Sequence, residues 1–589
     1  MLTDRNRRET HDPSTLRAAG TAIQAGSPAH VDALPAPLTS GRPTPLVRAG
    51  RRPWLPSIAL AAPIVAAVIF VAIFASAAPL TDEWIFVRSI LDLGDVHPGQ
   101  PDWFQQVVER GTWRFNGHSV VVPFLVYWSL GEAVGFDARV FVGVTLATFA
   151  VLLLVYRRSL RESRRSHPES WWAAVPIALV LFSPAHYMEF LWGFECTLAL
   201  SIVFPMLGLA VLDTIRADSR ILASAGKLAA GVALITLGTL SSFGGFLGFI
   251  AALVLLALRP LGPSRKAALI TGLAACAVLA FFWIVRDERH AEALAGAHAN
   301  LWFFPTAIGG AVLSTPITLY EFGFDLRSAI GLVGLASLLA VAVWALARGR
   351  LGHVAFPLAI AAFGLLATAS VAFGRGHLAN WHLQYVLMIV CGTYAAAYVA
   401  WREDSGSWTT RLALAGSLAV ALASIAGSWN AFTTFGPVYR DYVQRVERYM
   451  QRSLARPDGP RPCGLDLDPD AALYLSALGS APFRPERTDL AELRPASGYQ
   501  LFINNCEMPV TFELYGPQLE RTKILVVWPT ASAPRAVRLE IGGHAVDLRR
   551  IDVSRALIEP REGIVCFIGL LLPGTIPRGA TPLTILAAR

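Results

Sequence analysis

The feature that most limits this chain is a series of apolar runs between Ser57 and Asn430, many of them about 20 residues long and nearly free of charge. At 1.5 Å per residue a helical run of that length reaches across a hydrocarbon core of roughly 30 Å, and in lipid a helix satisfies its own backbone groups. The sequence therefore predicts a polytopic α-helical membrane protein. A soluble enzyme is excluded, because only 16% of the 589 residues are charged, whereas soluble domains carry about 25%. The formal charge of +8 comes from 50 basic and 42 acidic residues, of which only Lys227, Lys266 and Lys523 are lysines. The arginine excess reads as composition and topology, with no nucleic-acid partner implied.

Arginines orient the runs. Residues 1–53 are rich in Pro, Ala, Ser, Thr and Arg without an apolar period and predict a disordered cytoplasmic arm. Ser57 to Leu80 is then a first span, too long for a signal-peptide core, and the loop 81–137 lies outside. Five arginines in RRSLRESRR, Arg157 to Arg165, require an inside loop. That loop falls inside only if the apolar run Val120 to Val134 lies at the outer interface and Ala138 to Tyr156 is the second span. The same logic makes Phe303 to Tyr320 interfacial or re-entrant, since a crossing would push Arg348 and Arg350 outward. The remaining spans fall near 171–188, 196–213, 228–242, 244–258, 267–286, 329–347, 353–373, 383–400 and 411–430. The total is about eleven, and the C-terminus is outside.

Residues 431–589 carry 19 basic and 17 acidic residues and no long apolar run, which predicts a separate water-exposed domain. Its opening YRDYVQRVERYMQRSL has helical spacing, whereas KILVVW, AVRLEI and IVCFIGLLL, bounded by Pro, Gly and Ser, predict strands of a β-rich or α+β extracytoplasmic domain. Three cysteines lie in apolar segments (Cys196, Cys276, Cys391) and three in the tail (Cys463, Cys506, Cys566), without metal-ligand spacing. The tail trio allows one disulfide with one thiol left over, and the pairing stays open.

Charged groups at membrane depth or at its edge are costly, so their clustering marks function. They cluster at the predicted outer side. Asp82-Glu83-Trp84 follows the first span directly, and a carboxylate there suits proton abstraction from an acceptor hydroxyl; the plain alternative is an acidic loop start with a Trp anchor. WRFNGHSVVVPFL sets Asn116 and His118 before the interfacial run, as phosphate or hydroxyl ligands or as a helix start. SPAHYMEFLWGFE holds His186, Glu189, Trp192 and Glu195 in one short turn between spans, where a Trp face stacks on a sugar or anchors a helix. GRGHLANWHLQY brings Arg375, whose guanidinium suits phosphate or else snorkels at the interface, and Tyr385.

In this order the segments resemble the GT-C superfamily of membrane glycosyltransferases, over roughly residues 56–400. More closely, they are similar to a group of bacterial proteins of that type carrying an Asn-Glu-His-Arg-like segment, an SP…LWGFQ turn and a late GR…SRY start. Here Gly117 and Ser119 replace the Glu and Arg of the first segment, Glu195 replaces Gln, and Leu383-Gln384 replace Ser-Arg before Tyr385. The resemblance implies three regions: the arm 1–53, a GT-C-like transmembrane domain 54–430, and an extracytoplasmic domain 431–589. It implies a multi-pass protein of the bacterial inner membrane and an inverting transfer of a hexosyl or pentosyl group from a polyprenyl-phosphate donor. The acceptor would be an envelope glycan, lipid or protein on the extracytoplasmic face. Asp82 takes the position of the catalytic acid residue as base, with Glu83 assisting. Arg375 and His118 would hold the donor phosphate. Asn116, His186, Glu189, Trp192, Glu195 and Tyr385 would shape the substrate site, with no metal and no cofactor. The competing classes are a transporter or flippase of lipid-linked precursors, which calls for buried mid-span charges or repeated halves, and a non-catalytic glycan-binding assembly protein.

Overall fold

The computed structural model describes residues 54–80, 82–92, 105–106, 114–115, 118–162, 170–285, 300–319, 322–375 and 377–453, and, in the tail, 494–495, 500–503, 506–508, 513–514, 522–529, 534–541, 544–551, 564–571 and 581–588. The predicted arm 1–53 lies outside them.

Among the described residues nine helices are long and apolar enough to cross a membrane: Leu55–Phe74, Ala138–Leu160, Gly193–Asp213, Ile221–Thr239, Pro263–Val285, Leu326–Ala347, Leu351–Gly374, Asn380–Glu403 and Trp408–Gln444. Two more predicted spans correspond to the shorter apolar helices Trp171–His186 and Phe243–Leu258, which together with the nine account for the eleven expected. The runs read as non-crossing form the helices Val121–Val134 and Phe303–Leu313. They reach about 21 and about 16 Å at 1.5 Å per residue, short of a hydrocarbon core of roughly 30 Å. The second stops where Ser314 turns to a φ of 77°, and Thr318–Leu319 then pairs antiparallel with Leu378–Ala379. Boundaries differ at the first span, whose helix ends at Phe74 and not at Leu80, and at the expected 228, where the helix Ile221–Thr239 takes in Lys227, whose ammonium donates to the Thr214 carbonyl at 2.9 Å. The last span does not end at Asn430. It passes through a wide turn, Ala431–Phe435, into the amphipathic helix Gly436–Ser453.

The bundle is a multi-pass membrane assembly built around the Asn380–Glu403 segment, in which every residue from Leu383 to Ala397 is buried, whereas only five residues of Leu55–Phe74 are. Apolar side chains such as Val65, Ile69, Leu154, Leu279 and Leu339 cover the outside, as a lipid-facing surface requires. Lipid tails are as apolar as Leu, so helices associate through close packing at small residues. The helices Phe303–Leu313 and Leu326–Ala347 show this best. A Cβ on Gly309 would lie 1.8 Å from the Arg327 carbonyl oxygen, and one on Gly331 would lie 1.9 Å from that of Pro305.

Beyond Ser453 the described residues form a nine-stranded antiparallel sheet. Its order is Arg494–Pro495, Thr581–Ala588, Ala536–Ile541, His544–Ile551, Ile564–Leu571, Thr522–Pro529, Gln500–Ile503 and Cys506–Met508, with Glu513–Leu514 also on Thr581–Ala588. The three segments read as strands from sequence are three of these. Alternation places Val537 and Leu539 inside, and Arg538 meets its register partner Asp547 with Nε 2.5 Å from Oδ1. The tail is β-rich, as expected.

Candidate functional site

The acidic pair sits in a short turn between the first span and the helix Glu83–Asp92. Asp82 is half-buried, but Glu83 is enclosed, with 1% exposure. The Leu80 amide donates to Glu83 Oε2 at 2.7 Å, and the Glu83 amide donates back to the Leu80 carbonyl at 3.0 Å. The Tyr127 hydroxyl donates to Glu83 Oε1 at 3.0 Å. Tyr127 is itself wedged between Phe86 at 4.6 Å and Phe141 at 3.7 Å, both stacked on it. Burial pushes the Glu83 carboxyl up from its ordinary 4.5 to about 8, against the pull of the Leu80 and Tyr127 donors. Glu83 therefore fixes the turn that carries Asp82.

The second segment packs on this turn. The Trp192 indole donates to the Leu80 carbonyl at 3.3 Å. Gly193 is obligatory here, since a Cβ would lie 2.4 Å from Glu83 Oε1 and 2.8 Å from the Ala138 carbonyl oxygen. His186 and Glu189 have zero exposure and sit in the core beside Phe190, whose ring lies 5.1 Å from that of His186. His186 Nε2 donates to the Val180 carbonyl at 2.9 Å, and Nδ1 lies 2.7 Å from Glu189 Oε2, an ion-pair distance without hydrogen-bond alignment. Burial lifts the Glu189 carboxyl to about 7, opposed by His186.

The third segment closes the group. Fully buried Gln384 donates from Nε2 to Glu195 Oε2 at 2.8 Å and to the Glu195 carbonyl at 3.3 Å, leaving Glu195 Oε1 without a partner. Asn380 accepts from the Met188 amide at 3.1 Å and donates to Thr315 Oγ1 at 3.2 Å. Trp381 meets Trp192 edge-on at 5.7 Å and His382 at 5.6 Å. Tyr385 is buried in helix packing, its hydroxyl 3.2 Å from that of Ser201. The helix Val121–Val134 ties in the WRFNGHS segment through Tyr127 and through the Val122 amide, which donates to the Leu240 carbonyl at 3.2 Å. His118 is half-buried with its ring over Phe243 at 6.2 Å.

Segments separated by up to 300 residues thus meet at one end of the bundle. Of the sequence-predicted residues, Asp82, Glu83, His186, Glu189, Trp192, Glu195 and Tyr385 belong to the three segments that meet there, and only Asp82 among them is not buried. Arg375 ends the helix Leu351–Arg375 and its side chain lies outside the described residues, as does Asn116 entirely. Sequence reasoning missed Tyr127, Asn380 and Trp381. Tyr127 is hidden in an apolar run, whereas Asn380 and Trp381 stand in the quoted GRGHLANWHLQY. Among the described residues no group of three or more His, Cys, Asp or Glu side chains could hold a metal ion.

The class defined so far is a multi-pass helical membrane protein with a polar, carboxylate-rich cluster at one end and a β-sheet tail. No protein-family model and no curated protein matches the chain. Among solved structures it is similar to the apo form of the Archaeoglobus fulgidus oligosaccharyltransferase, at 14% identity and a TM-score of 0.42 over 69% of this chain and 59% of that one. It is also similar to the archaeal oligosaccharyltransferase AglB from Archaeoglobus fulgidus in complex with an inhibitory peptide and a dolichol-phosphate, at 14% identity and a TM-score of 0.37 over 70% and 59%. The chain spans 59% of the length of each, and likenesses this distant carry no argument about chemistry.

Proposed function

We propose that this chain is a GT-C-type membrane glycosyltransferase that moves a sugar from a polyprenyl-phosphate donor to an envelope acceptor at the outer face. The observation that carries the reading is the convergence of the Asp82 turn with the 186–195 and 380–385 segments, leaving Asp82 half-buried beside enclosed carboxyls. Asp82 takes the proton of the acceptor hydroxyl as its oxygen attacks the anomeric carbon. The bond from that carbon to the phosphate oxygen breaks, and its electron pair leaves on the polyprenyl phosphate. A single displacement of this kind inverts the anomeric centre. Arg375 and His118 hold the departing phosphate, with Asn116 nearby on the same segment as His118. Glu83 positions Asp82 through the turn. His186, Glu189, Trp192, Glu195 and Tyr385 form the buried floor under the sugar, and no metal takes part.

The test uses membranes carrying Asp82→Asn or Arg375→Ala, supplied with labelled polyprenyl-phosphate sugars. Loss of the base lowers transfer by about 100-fold or more. Turnover retained in the Asp82→Asn protein removes the assigned base.

A further inference from the structure

At the opposite end of the bundle, away from Asp82, a cavity of about 540 Å3 opens among turns that the proposed reaction leaves unused. Its walls include Arg158, Arg216, Lys227 and Arg259 with Asp213 and Glu403, four cations against two carboxylates. Both carboxylates are ion-paired: Asp213 Oδ1 lies 3.1 Å from Arg259 Nη1, without hydrogen-bond alignment, and Glu403 Oε2 lies 3.1 Å from Nη1 of Arg350. Lys227 and Arg259 donate to the carbonyls of Thr214 and Ile215 at 2.9 and 3.3 Å, so both cations sit at the C-terminal end of the helix Cys196–Asp213. Arg259 Nε is buried and has no hydrogen-bond acceptor. A hidden guanidinium donor without an acceptor is a costly arrangement that a ligand oxygen would relieve.

Depth along the bundle identifies the ligand class. Glu195, in the outer cluster, and Asp213, in the cavity wall, bracket a helix of 18 residues, about 27 Å at 1.5 Å per residue. That is close to one hydrocarbon thickness, so the cavity lies at the headgroup level of the other leaflet. Phe356 and Pro357 give the same cavity an apolar wall. We propose that this cavity binds a phosphate-bearing anion, presented as the headgroup of an anionic lipid in that leaflet, with the guanidinium groups forked onto its oxygens.

The purified full chain in detergent is titrated with phosphatidylglycerol, phosphatidylcholine and inorganic phosphate, and bound species are counted by native mass spectrometry. Phosphatidylglycerol is expected to bind, phosphatidylcholine far less, and the exposed pair Arg158→Ala/Arg216→Ala to lose about 25-fold in affinity, about fivefold per cation. The charge-keeping pair Arg158→Lys/Arg216→Lys retains binding, which separates loss of the site from loss of the fold. Arg348→Ala, 60% exposed in the turn before Gly352 but not lining the cavity, leaves the affinity unchanged. Phosphate binding as tightly as the lipid, with the same loss in the alanine pair, would support the anion site with a free ion as its source. Equal retention of both lipids, no loss in the alanine pair, or an equal loss in Arg348→Ala would overturn the proposal.

Discussion

Replacing Glu83 tests the idea that its carboxyl exists to fix the turn. Glu83→Ala orphans two enclosed donors, the Leu80 amide and the Tyr127 hydroxyl, which lie 2.7 and 3.0 Å from its oxygens. Tyr127 has 1% exposure and rings stacked on both faces, so its hydroxyl cannot turn to water. At about 1–3 kcal/mol for each buried donor left unmade, the loss is about 2–6 kcal/mol. Glu83→Gln keeps an acceptor for Leu80 and is expected to fold nearly as well, but it removes a titration. With the carboxyl pushed up from 4.5 to about 8, the folded chain between those values holds a proton that the unfolded chain has released. Stability is therefore fullest below the unfolded value and falls as pH rises through the folded one, by at most about 1.4 kcal/mol per pH unit. Glu189, lifted to about 7, adds a similar slope that ends sooner, and the share of Glu83 is the difference in slope between the parent and its Gln variant. The assay is thermal unfolding in detergent from pH 5 to 9, followed by tryptophan fluorescence. A Gln variant that keeps the full slope above pH 7, or an Ala variant that melts with the parent, would refute the reasoning.

Two other substitutions probe the same cluster. Gly193→Ala drives a Cβ to 2.4 Å from Glu83 Oε1 and 2.8 Å from a backbone oxygen, so it should cost about 1–3 kcal/mol and lower transfer by displacing the Asp82 turn, measured as melting temperature and turnover together. Gln384→Leu removes the 2.8 Å donor from enclosed Glu195 and should destabilise by about 1.5–3 kcal/mol. Adding Glu195→Gln should recover part of that loss, and strict additivity in the double-mutant cycle would count against a direct pair.

The span pattern was readable because each crossing needs an apolar run and each arginine-rich turn fixes a side. The two runs read as non-crossing from Arg157 to Arg165 and from Arg348 and Arg350 form the helices Val121–Val134 and Phe303–Leu313, of 14 and 11 residues. The start of the fourth long helix at Ile221 was not readable, because Lys227 looks like a loop residue until its ammonium finds the Thr214 carbonyl. At the site, charge scarcity exposed Asp82, Glu83, Glu189 and Glu195 one by one. What it could not expose was pairing: Gln384 and Glu195 stand 189 positions apart, and Tyr127 carries no charge to mark it. Direction was equally hidden, because Asp82 and Glu83 are neighbours in sequence, and only the close approach of Gly193 and the reach of Tyr127 show that the second points inward.

That difference in direction divides the labour among the carboxyls. Glu83 and Glu189, with 1% and zero exposure and with burial lifting their carboxyls to about 8 and about 7, are closed to an acceptor hydroxyl. Glu195 is enclosed at zero exposure with Gln384 on one oxygen, so an incoming hydroxyl has no path to it. Half-buried Asp82 is the member of the set that combines access with a fixed position, and the fixing is done by its enclosed neighbour. The buried carboxyls thus serve the proposed chemistry by rigidity: each ties a segment to the next, Glu83 to the helix of Tyr127 and Glu195 to the helix of Gln384, so that a base on a turn is held as firmly as one on a helix.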